Sequence, residues 1–194
     1  MRVIGLTGKA CSGKNYVAQI FEDKGFNVID VDKLGHKALI DKQDKIVKAF
    51  GEKILENNII NRKTLGNIVF SSPEKLKLLE SIVHPYIKLL CIDLIKNSEK
   101  DIILNAAILQ RGKLVELCDN VIFVKAPFFL RYKRSKTRDK RSFIWFLKRD
   151  LSQKDINIKE LKKEIDVNIL INKSSENEIY RQIVNICGIF NIEM

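Results

Sequence analysis

The amino-acid sequence predicts a three-layer α/β fold, in which helices cover both faces of a five-stranded parallel sheet. Short, near-continuous apolar runs recur along the chain, each followed by helix-period sequence, and strands buried on both faces have this composition. The chain has 194 residues, 45% of them hydrophobic, which suits one domain spanning residues 1–194. The predicted strands are Val3–Thr7, Val28–Val31, Ile102–Leu104, Val121–Val124 and Val167–Ile171.

The first strand, the first helix and the second strand form the clearest unit, over residues 2–31. Val17, Ile20 and Phe21 fall at helical spacing after the first strand. Gly25 stands where a helix ends in a left-handed cap, immediately before the second strand. This order of elements predicts a strand-loop-helix-strand crossover.

Residues 33–98 carry mainly helical signals and predict a helical insertion between the second and third strands. The pair Asn57-Asn58 breaks the helical pattern. A second break precedes Pro73, where Ser72 can cap a new helix. Pro85 predicts a third interruption, because proline restricts the residue before it and suits the first turn of a helix.

The second half of the chain predicts a basic helical region over residues 127–165 and a carboxyl-terminal helix over residues 175–187 that packs on the sheet. If the basic stretch is helical, three arginines recur on one face: Arg134, Arg138 and Arg141. Taken alone, such a stretch is more typical of a solvated face or a nucleic-acid surface. The run Phe143–Phe146 is expected to anchor this region against a core.

Composition excludes some classes of protein and leaves others open. No apolar run approaches the roughly 20 residues of a membrane span, and no signal peptide opens the chain, so we expect a cytoplasmic protein without a membrane segment. The four cysteines lack metal-ligand spacing, and we expect three in the core and Cys11 in a loop. The net charge of +11 favours nucleic acid, a membrane surface or a polyphosphate as partner, unless the lysines are spread over solvated faces.

A phosphate-binding loop follows the first predicted strand and opens the first predicted helix. Residues 8–14 match Gly-x-x-x-x-Gly-Lys, the pattern of a P-loop. Glycines let backbone N–H groups turn toward phosphate oxygens, while the helix amino terminus and Lys14 add positive charge. A polyphosphate is therefore the expected ligand, and a glycine-rich turn before an ordinary helix is the alternative. The candidate binding residues are Gly8, Lys9, Ala10, Cys11, Ser12, Gly13, Lys14, Asn15 and Tyr16.

Asn15 departs from the P-loop pattern at the position whose hydroxyl usually binds Mg²⁺. Its amide oxygen is a different ligand. Either the affinity or geometry of the metal changes, or ATP, water and an acidic residue hold the ion. A nucleotide-binding protein without turnover is therefore an alternative.

Two carboxylates, Asp30 and Asp32, lie at the carboxyl end of the second predicted strand, where ligands bind in open α/β sheets. Alternation along a strand places both on the same side. One could orient an attacking hydroxyl or accept its proton, and either could hold water on Mg²⁺. We therefore take Asn15 and Asp30 as candidate metal ligands. The alternative is that an aspartate here is only a turn former or a helix cap.

In combination, these motifs resemble the dephospho-CoA kinase family. The opening strand with its loop and the Asp-x-Asp segment at Asp30–Asp32 are similar to the family's first two motifs. The family's Arg-x-x-Leu, Val-Phe and His-Pro sequences have counterparts in the same order at Arg62–Leu65, Val69-Phe70 and His84-Pro85. The resemblance covers roughly the first half of the chain.

The second half resembles the family more loosely. Arg134 and Arg138 stand in the place of its basic lid, and Gln153 lies near the end of the following helix. Asn172 resembles the asparagine of the loop beside the adenine. The family's Pro-Leu-Leu-Phe-Glu is replaced by Ala107–Arg111, which changes the expected contacts of the acceptor pocket.

The resemblance implies a P-loop kinase that transfers the γ-phosphoryl group of ATP to the 3′-hydroxyl of dephospho-CoA, the last step of CoA synthesis. Lys14 would neutralise the phosphates, Asp32 would act as base or orienter, and Arg134 and Arg138 would stabilise migrating charge. The implied acceptor contacts are Asp32, Arg62 and His84. The alternatives are a kinase for another small acceptor and a non-catalytic protein that binds nucleotide or nucleic acid. The oligomeric state is left open.

Overall fold

The structure is a computed structural model that describes residues 1–140, 142–153, 156–173 and 175–192. Its contacts divide the chain into two compact units: residues 1–29 with 97–194, and residues 30–96. The second unit spans nearly the same residues as the predicted insertion, and it interrupts the sequence of the first.

The elements follow one another in the order that the apolar runs predict, with additional short elements. The strands are β1 (Val3–Thr7), β2 (Asn27–Asp30), β3 (Leu55–Glu56), β4 (Ile59–Ile60), β5 (Ile102–Asn105), β6 (Asn120–Lys125) and β7 (Val167–Ile171). The helices are α1 (Lys14–Asp23), α2 (Val31–Asp41), α3 (Gln43–Phe50), α4 (Arg62–Val69), α5 (Pro73–Lys96), α6 (Phe128–Asp139), α7 (Phe143–Ser152), α8 (Ile158–Glu164) and α9 (Glu176–Ile189). The described residues also contain two 3₁₀ segments, Glu52–Ile54 and Arg111–Leu117.

The main sheet has five strands in the order β2-β5-β1-β6-β7. The central strand β1 pairs in parallel with β5, where Val3 lies opposite Ile102, and with β6, where Gly5 lies opposite Val121. Strand β7 extends the sheet in parallel beyond β6. The predicted α/β fold with five parallel strands is confirmed, and each predicted strand agrees with the observed one to within a residue at either end.

The core of the first unit lies where α1 and α9 pack on the sheet. Ile4 and Leu6 of β1 meet Phe21 of α1 and Ile183 of α9, and none of the four side chains has any exposed surface. Burial of such side chains stabilises a fold by about 1.5–3 kcal/mol each. The carboxyl-terminal helix therefore packs on the sheet as predicted.

Helix α1 ends in the left-handed cap that the sequence predicts at Gly25, whose φ is 91°. The Gly25 N–H donates to Glu22 O at 2.9 Å, and the Phe26 N–H donates to Phe21 O at 3.1 Å. These two bonds form a Schellman motif, which turns the chain directly into β2.

Both breaks predicted before residue 75 of the second unit are present. Asn57 and Asn58 have φ of 51° and 61° and form the two-residue turn of the β3–β4 hairpin, a conformation that asparagine tolerates. The sequence pattern located this break but not its strands. At the start of α5, Ser72 Oγ accepts a hydrogen bond from the Lys75 N–H at 3.4 Å, so Ser72 caps the helix as predicted.

The predicted interruption at Pro85 is wrong, because α5 runs through this residue without a break. Proline removes one backbone hydrogen bond from the helix. However, Val83, Ile87 and Cys91 form one buried face across the site. Tertiary packing of that face holds the helix together, which local propensity does not reveal.

The region predicted to be basic and helical contains α6, α7 and α8, and Arg141 lies outside the described residues. The expectation for its aromatic run is only partly correct. Phe146 is 1% exposed and packs against Phe128 and Tyr132, whereas Ile144 is 66% exposed. Because consecutive residues point in different directions around a helix, four in a row cannot all face one core.

Two expectations from composition concern membranes and cysteines. Among the described residues, no helix is both long and apolar enough to cross a bilayer. All four cysteines are free thiols. Cys91 and Cys187 are buried, but Cys118 is only half-buried, so the core holds two of the three cysteines expected there.

Candidate active site

The predicted phosphate loop connects β1 to α1 and is built from backbone turns. The Ser12 N–H donates to Lys9 O at 3.0 Å, and Gly13 is the residue that precedes the first turn of α1, with φ of 92°. Cys11 has φ of 61°, an uncommon conformation for a residue with a side chain. Gly13, the cap residue of α1, has no side chain to bond the first N–H groups of the helix, and such a helix start suits an anion.

Arg134 and Asn172 bind the outer side of the loop. Arg134 Nη1 donates to Ser12 O at 3.1 Å and to Cys11 O at 3.4 Å. Asn172 Nδ2 donates to Ser12 O at 2.9 Å, and Asn172 Oδ1 accepts from Arg134 Nη2 at 2.8 Å. A Cβ at Gly13 would clash with the Asn172 amide, so glycine is required there on steric grounds as well. Both residues contact carbonyl groups of the loop and organise its backbone, whereas the sequence led us to expect Arg134 in a lid and Asn172 beside the adenine.

A second group of side chains, from α6 and α7, binds the crest of the loop. Gln153 Oε1 accepts from the Ala10 N–H at 2.8 Å, and Arg131 Nη1 donates to Ala10 O at 3.4 Å. Asp150 pairs with Arg131 at 2.6 Å and with Lys9 at 3.5 Å. Sequence reasoning assigned no role to Arg131 or Asp150, since nothing in their spacing pairs residues on two different helices.

Lys14 points to the end of β5. Its Nζ donates to Asn105 Oδ1 at 2.5 Å, and Asn105 Nδ2 donates to Asn15 Oδ1 at 3.3 Å. Asn105 is 3% exposed, so it holds the ammonium group and the Asn15 amide from a fixed position. Sequence reasoning missed Asn105. The signal was a polar residue directly after the apolar run at the carboxyl end of a parallel strand, where ligands bind.

Tyr16 and Arg138 lie at the periphery of the loop. Tyr16 is 39% exposed, and desolvation together with a hydrogen bond to Glu176 raises the pKa of its hydroxyl. Arg138 donates to both carboxylate oxygens of Asp139, at 2.7 and 3.0 Å, and to Cys11 Sγ at 3.6 Å. The Arg138 guanidinium lowers the pKa of the Asp139 carboxyl. A phosphate would therefore compete with Asp139 for this arginine.

In the second unit, the two aspartates do not share the face of a strand, which corrects that prediction. Strand β2 ends at Asp30, and Asp32 lies in the first turn of α2, where it is exposed. Asp30 Oδ1 accepts from the Asp32 N–H at 3.0 Å and from the Lys33 N–H at 3.2 Å. Asp30 is thus a helix cap, the alternative that the sequence left open, and the strand ends because this cap starts a helix.

Arg62 and His84 also belong to the second unit. Arg62, the first residue of α4, is exposed and lies 2.7 Å from His36, measured from Nη1 to Nε2. Arginine has only donors, so Nε2 of His36 is the acceptor in this contact. His84 is half-buried within α5. Sequence reasoning gave His36 no role, because its contact with Arg62 spans 26 residues.

The donors available for a cation are oxygen atoms. Among the described residues, no group of three or more His, Cys, Asp or Glu side chains forms a metal cage. Asn15 and Asp30 nevertheless carry amide and carboxylate oxygens of the kind that Mg²⁺ prefers. Each supplies one such group, so an ion bound to either residue would need water or phosphate oxygens to complete its ligands.

Comparison with known proteins gives a consistent result over most of the chain. The family model described as dephospho-CoA kinase matches residues 2–181. The dephospho-CoA kinase of Fusobacterium nucleatum is 32% identical over 194 residues, covering 95% of this chain and 96% of that protein. The enzyme of Borreliella burgdorferi is 47% identical over 128 residues; the match covers 64% of this chain but only 62% of that relative.

Solved structures resemble the whole chain. A dephospho-CoA kinase from Campylobacter jejuni superposes with a TM-score of 0.68 at 29% identity, covering 97% of this chain and 96% of that one. A shikimate kinase from Bacteroides thetaiotaomicron, at 11% identity and a TM-score of 0.57, covers 98% of this chain and 99% of its own. At such low identity, the second likeness concerns the fold alone.

Proposed function

Because the chain belongs to the dephospho-CoA kinase family, we propose that it transfers the γ-phosphoryl group of ATP to the 3′-hydroxyl of dephospho-CoA, giving CoA and ADP. The observation that carries the proposal is the family match over residues 2–181, joined to a phosphate loop whose backbone is held by side chains of the first unit. Positioning and electrostatic stabilisation account for most of phosphoryl transfer, and this loop supplies both.

The first unit would bind ATP. The helix amino terminus at Gly13 and the Lys14 ammonium would neutralise the β- and γ-phosphates. Asn105 supports this role, because its hydrogen bond at 2.5 Å fixes the position of the lysine Nζ. Arg138 would stabilise migrating charge once a phosphate replaces Asp139 as its partner. Arg134 is proposed to stabilise migrating charge together with Arg138, and Asn172 would lie beside the adenine.

The second unit would bind the acceptor. We assign Asp32 as the residue that orients the attacking hydroxyl or accepts its proton, since its carboxylate is exposed and its backbone N–H is fixed by Asp30. Arg62 and His84 would contact the phosphates and ribose of dephospho-CoA. The supporting observation is the Arg62–His36 contact, which holds an exposed guanidinium in place.

Mg²⁺ is the proposed metal, and Asn15 of the first unit and Asp30 of the second are its candidate protein ligands, each acting directly or through water. When bound with ATP, the ion neutralises charge on the β- and γ-phosphates. Asn105 orients the Asn15 amide by donating to its oxygen. We also propose a cytoplasmic location, which the four free thiols support, since thiols stay reduced in that compartment.

An acceptor panel tests the proposal. With ATP and Mg²⁺, the purified protein should phosphorylate dephospho-CoA in preference to AMP, shikimate or pantothenate, measured by kcat/KM. Preference for another acceptor would reject dephospho-CoA as the substrate, but the protein would still be a kinase. Absence of transfer to any acceptor, across several divalent metals, would favour a binding protein. If such a protein bound nucleic acid, its affinity for polynucleotide should fall steeply with salt.

A further inference from the structure

The phosphate loop is held from outside by hydrogen bonds to its carbonyl groups. In a trans peptide the C=O and the following N–H point in opposite directions. Arg134 and Asn172 bind Ser12 O, so the Gly13 N–H points to the opposite side, toward the interior of the loop. Arg131 binds Ala10 O and orients the Cys11 N–H in the same way.

The peptide between Lys9 and Ala10 has the reverse orientation, and Gln153 fixes it. The Ala10 N–H points outward and donates to Gln153 Oε1 at 2.8 Å. Lys9 O then points into the turn, where it accepts the Ser12 N–H at 3.0 Å. Gln153 and the Ser12 N–H thus hold this peptide from its two sides, and Gln153 is the side-chain part of that support.

Gln153 and Asp150 are presented by one end of α7. The Gln153 N–H donates to Asp150 O at 3.3 Å, which closes the last turn of the helix. The Asp150 carboxylate, with a side chain 14% exposed, pairs with the Arg131 guanidinium, 7% exposed. The same carboxylate lies 3.5 Å from Lys9 Nζ and holds this second cation. Phe146, buried against Phe128, anchors the helix.

We propose that Gln153 is a positioning residue for ATP: its hydrogen bond to the Ala10 N–H sets the orientation of the loop peptides before nucleotide binds, and Asp150 supports it by holding Arg131 in place. This role rests on the proposed function, because it takes ATP as the ligand of the loop. Gln153 does not touch the phosphates. It acts instead on the geometry of the backbone amides that contact the phosphates.

The chain offers a matched control for this hydrogen bond. Gln182 Oε1 accepts from the Ile171 N–H, also at 2.8 Å, at the end of β7. Both glutamines thus bind one backbone N–H of the same unit through the same atom. Replacing each by methionine removes the acceptor and keeps the length of the side chain. Gln182→Met also removes the bonds from Gln182 Nε2 to Ile171 O at 3.1 Å and to Glu178 O at 3.4 Å, so the control loses at least as much hydrogen bonding, away from the loop.

The experiment measures the dissociation constant of ATP by calorimetry, without acceptor, together with the melting temperature. Gln153→Met should weaken ATP binding about five- to tenfold, the equivalent of one net hydrogen bond. Gln182→Met should bind ATP within about twofold of wild type, and Gln153→Met should melt no lower than Gln182→Met, which loses more hydrogen bonds. ATP affinity of Gln153→Met equal to wild type, or an equal loss in both variants, would overturn the positioning role.

A conservative variant separates the missing acceptor from other effects of the substitution. Gln153→Glu keeps an oxygen that can accept the Ala10 N–H and adds a charge that salt can screen. At high salt its affinity for ATP should lie closer to wild type than that of Gln153→Met, and an affinity no better than that of Gln153→Met would overturn the proposal. Failure of the wild-type protein to bind ATP would instead reject the proposed function.

Discussion

Replacing Lys14 by alanine removes a cation that the structure fixes at the end of the central sheet. Lys14 Nζ donates to Asn105 Oδ1 at 2.5 Å, and Asn105 is 3% exposed. The Asn105 amide therefore holds the ammonium group in one position before any phosphate is bound. Because Lys14 is only half-buried at the first position of α1, we expect the variant to fold.

The expected loss follows from two independent magnitudes. At about 4 Å and an effective dielectric constant of about 20, two unit charges interact by about 4 kcal/mol. Removal of one preorganised electrostatic stabiliser costs about 10²–10³ in kcat, or about 2.7–4 kcal/mol. We therefore expect kcat/KM for Lys14→Ala to fall about 100- to 1000-fold.

The assay is steady-state transfer from ATP to dephospho-CoA, with circular dichroism to check folding. The control is Lys24→Ala at the other end of α1, which removes the same charge from a lysine that stacks on the Tyr180 ring. The control should retain wild-type activity. Near-normal transfer by a folded Lys14→Ala protein would refute the assignment of this lysine.

Three further predictions concern other residues. Asp32→Asn should lower turnover strongly while ATP binding, measured by calorimetry, persists. If the variant binds ATP and is as active as wild type, another residue must orient or deprotonate the acceptor hydroxyl. Asn15→Thr should reduce the Mg²⁺ concentration for half-maximal activity, and an unchanged titration would make Asn15 a competent ligand. Burial raises the pKa of Cys91 and Cys187 to about 11. Iodoacetamide at pH 8 should therefore alkylate the half-buried Cys11 and Cys118 before the two buried thiols, with protection of Cys11 by ATP, and rapid labelling of either buried thiol would contradict this.

The parallel sheet could be predicted from the sequence because its signal is local. Each strand is a short apolar run, and Gly25 marks the end of the first crossover, so a few residues carry each assignment. The continuity of α5 through Pro85 could not be predicted in this way. It depends on a buried face whose packing partners are distant in sequence.

The residues of the candidate site also differ in whether a local sequence pattern could reveal them. The glycines and the lysine of the loop act through backbone geometry that a short motif encodes, and the structure places them at the end of β1. Arg131 and Asp150 are 19 residues apart on separate helices, and their ion pair forms only after the first unit has folded. The location of Asp32 was misjudged for another reason. The side chain of Asp30 starts a helix where strand alternation was expected to continue.

The central position of β1 in the sheet has a consequence for synthesis of the protein. Val3 pairs with Ile102, and its N–H donates to Asp119, 116 residues later in the chain. At about 5–20 residues per second, β1 leaves the ribosome roughly 5–20 s before its first partner strand is made. Residues 30–96 are contiguous and can close their own contacts in that interval. An apolar strand and the phosphate loop attached to it thus stay unpaired through half of translation. During that time a chaperone that binds the exposed strand would protect the chain from aggregation.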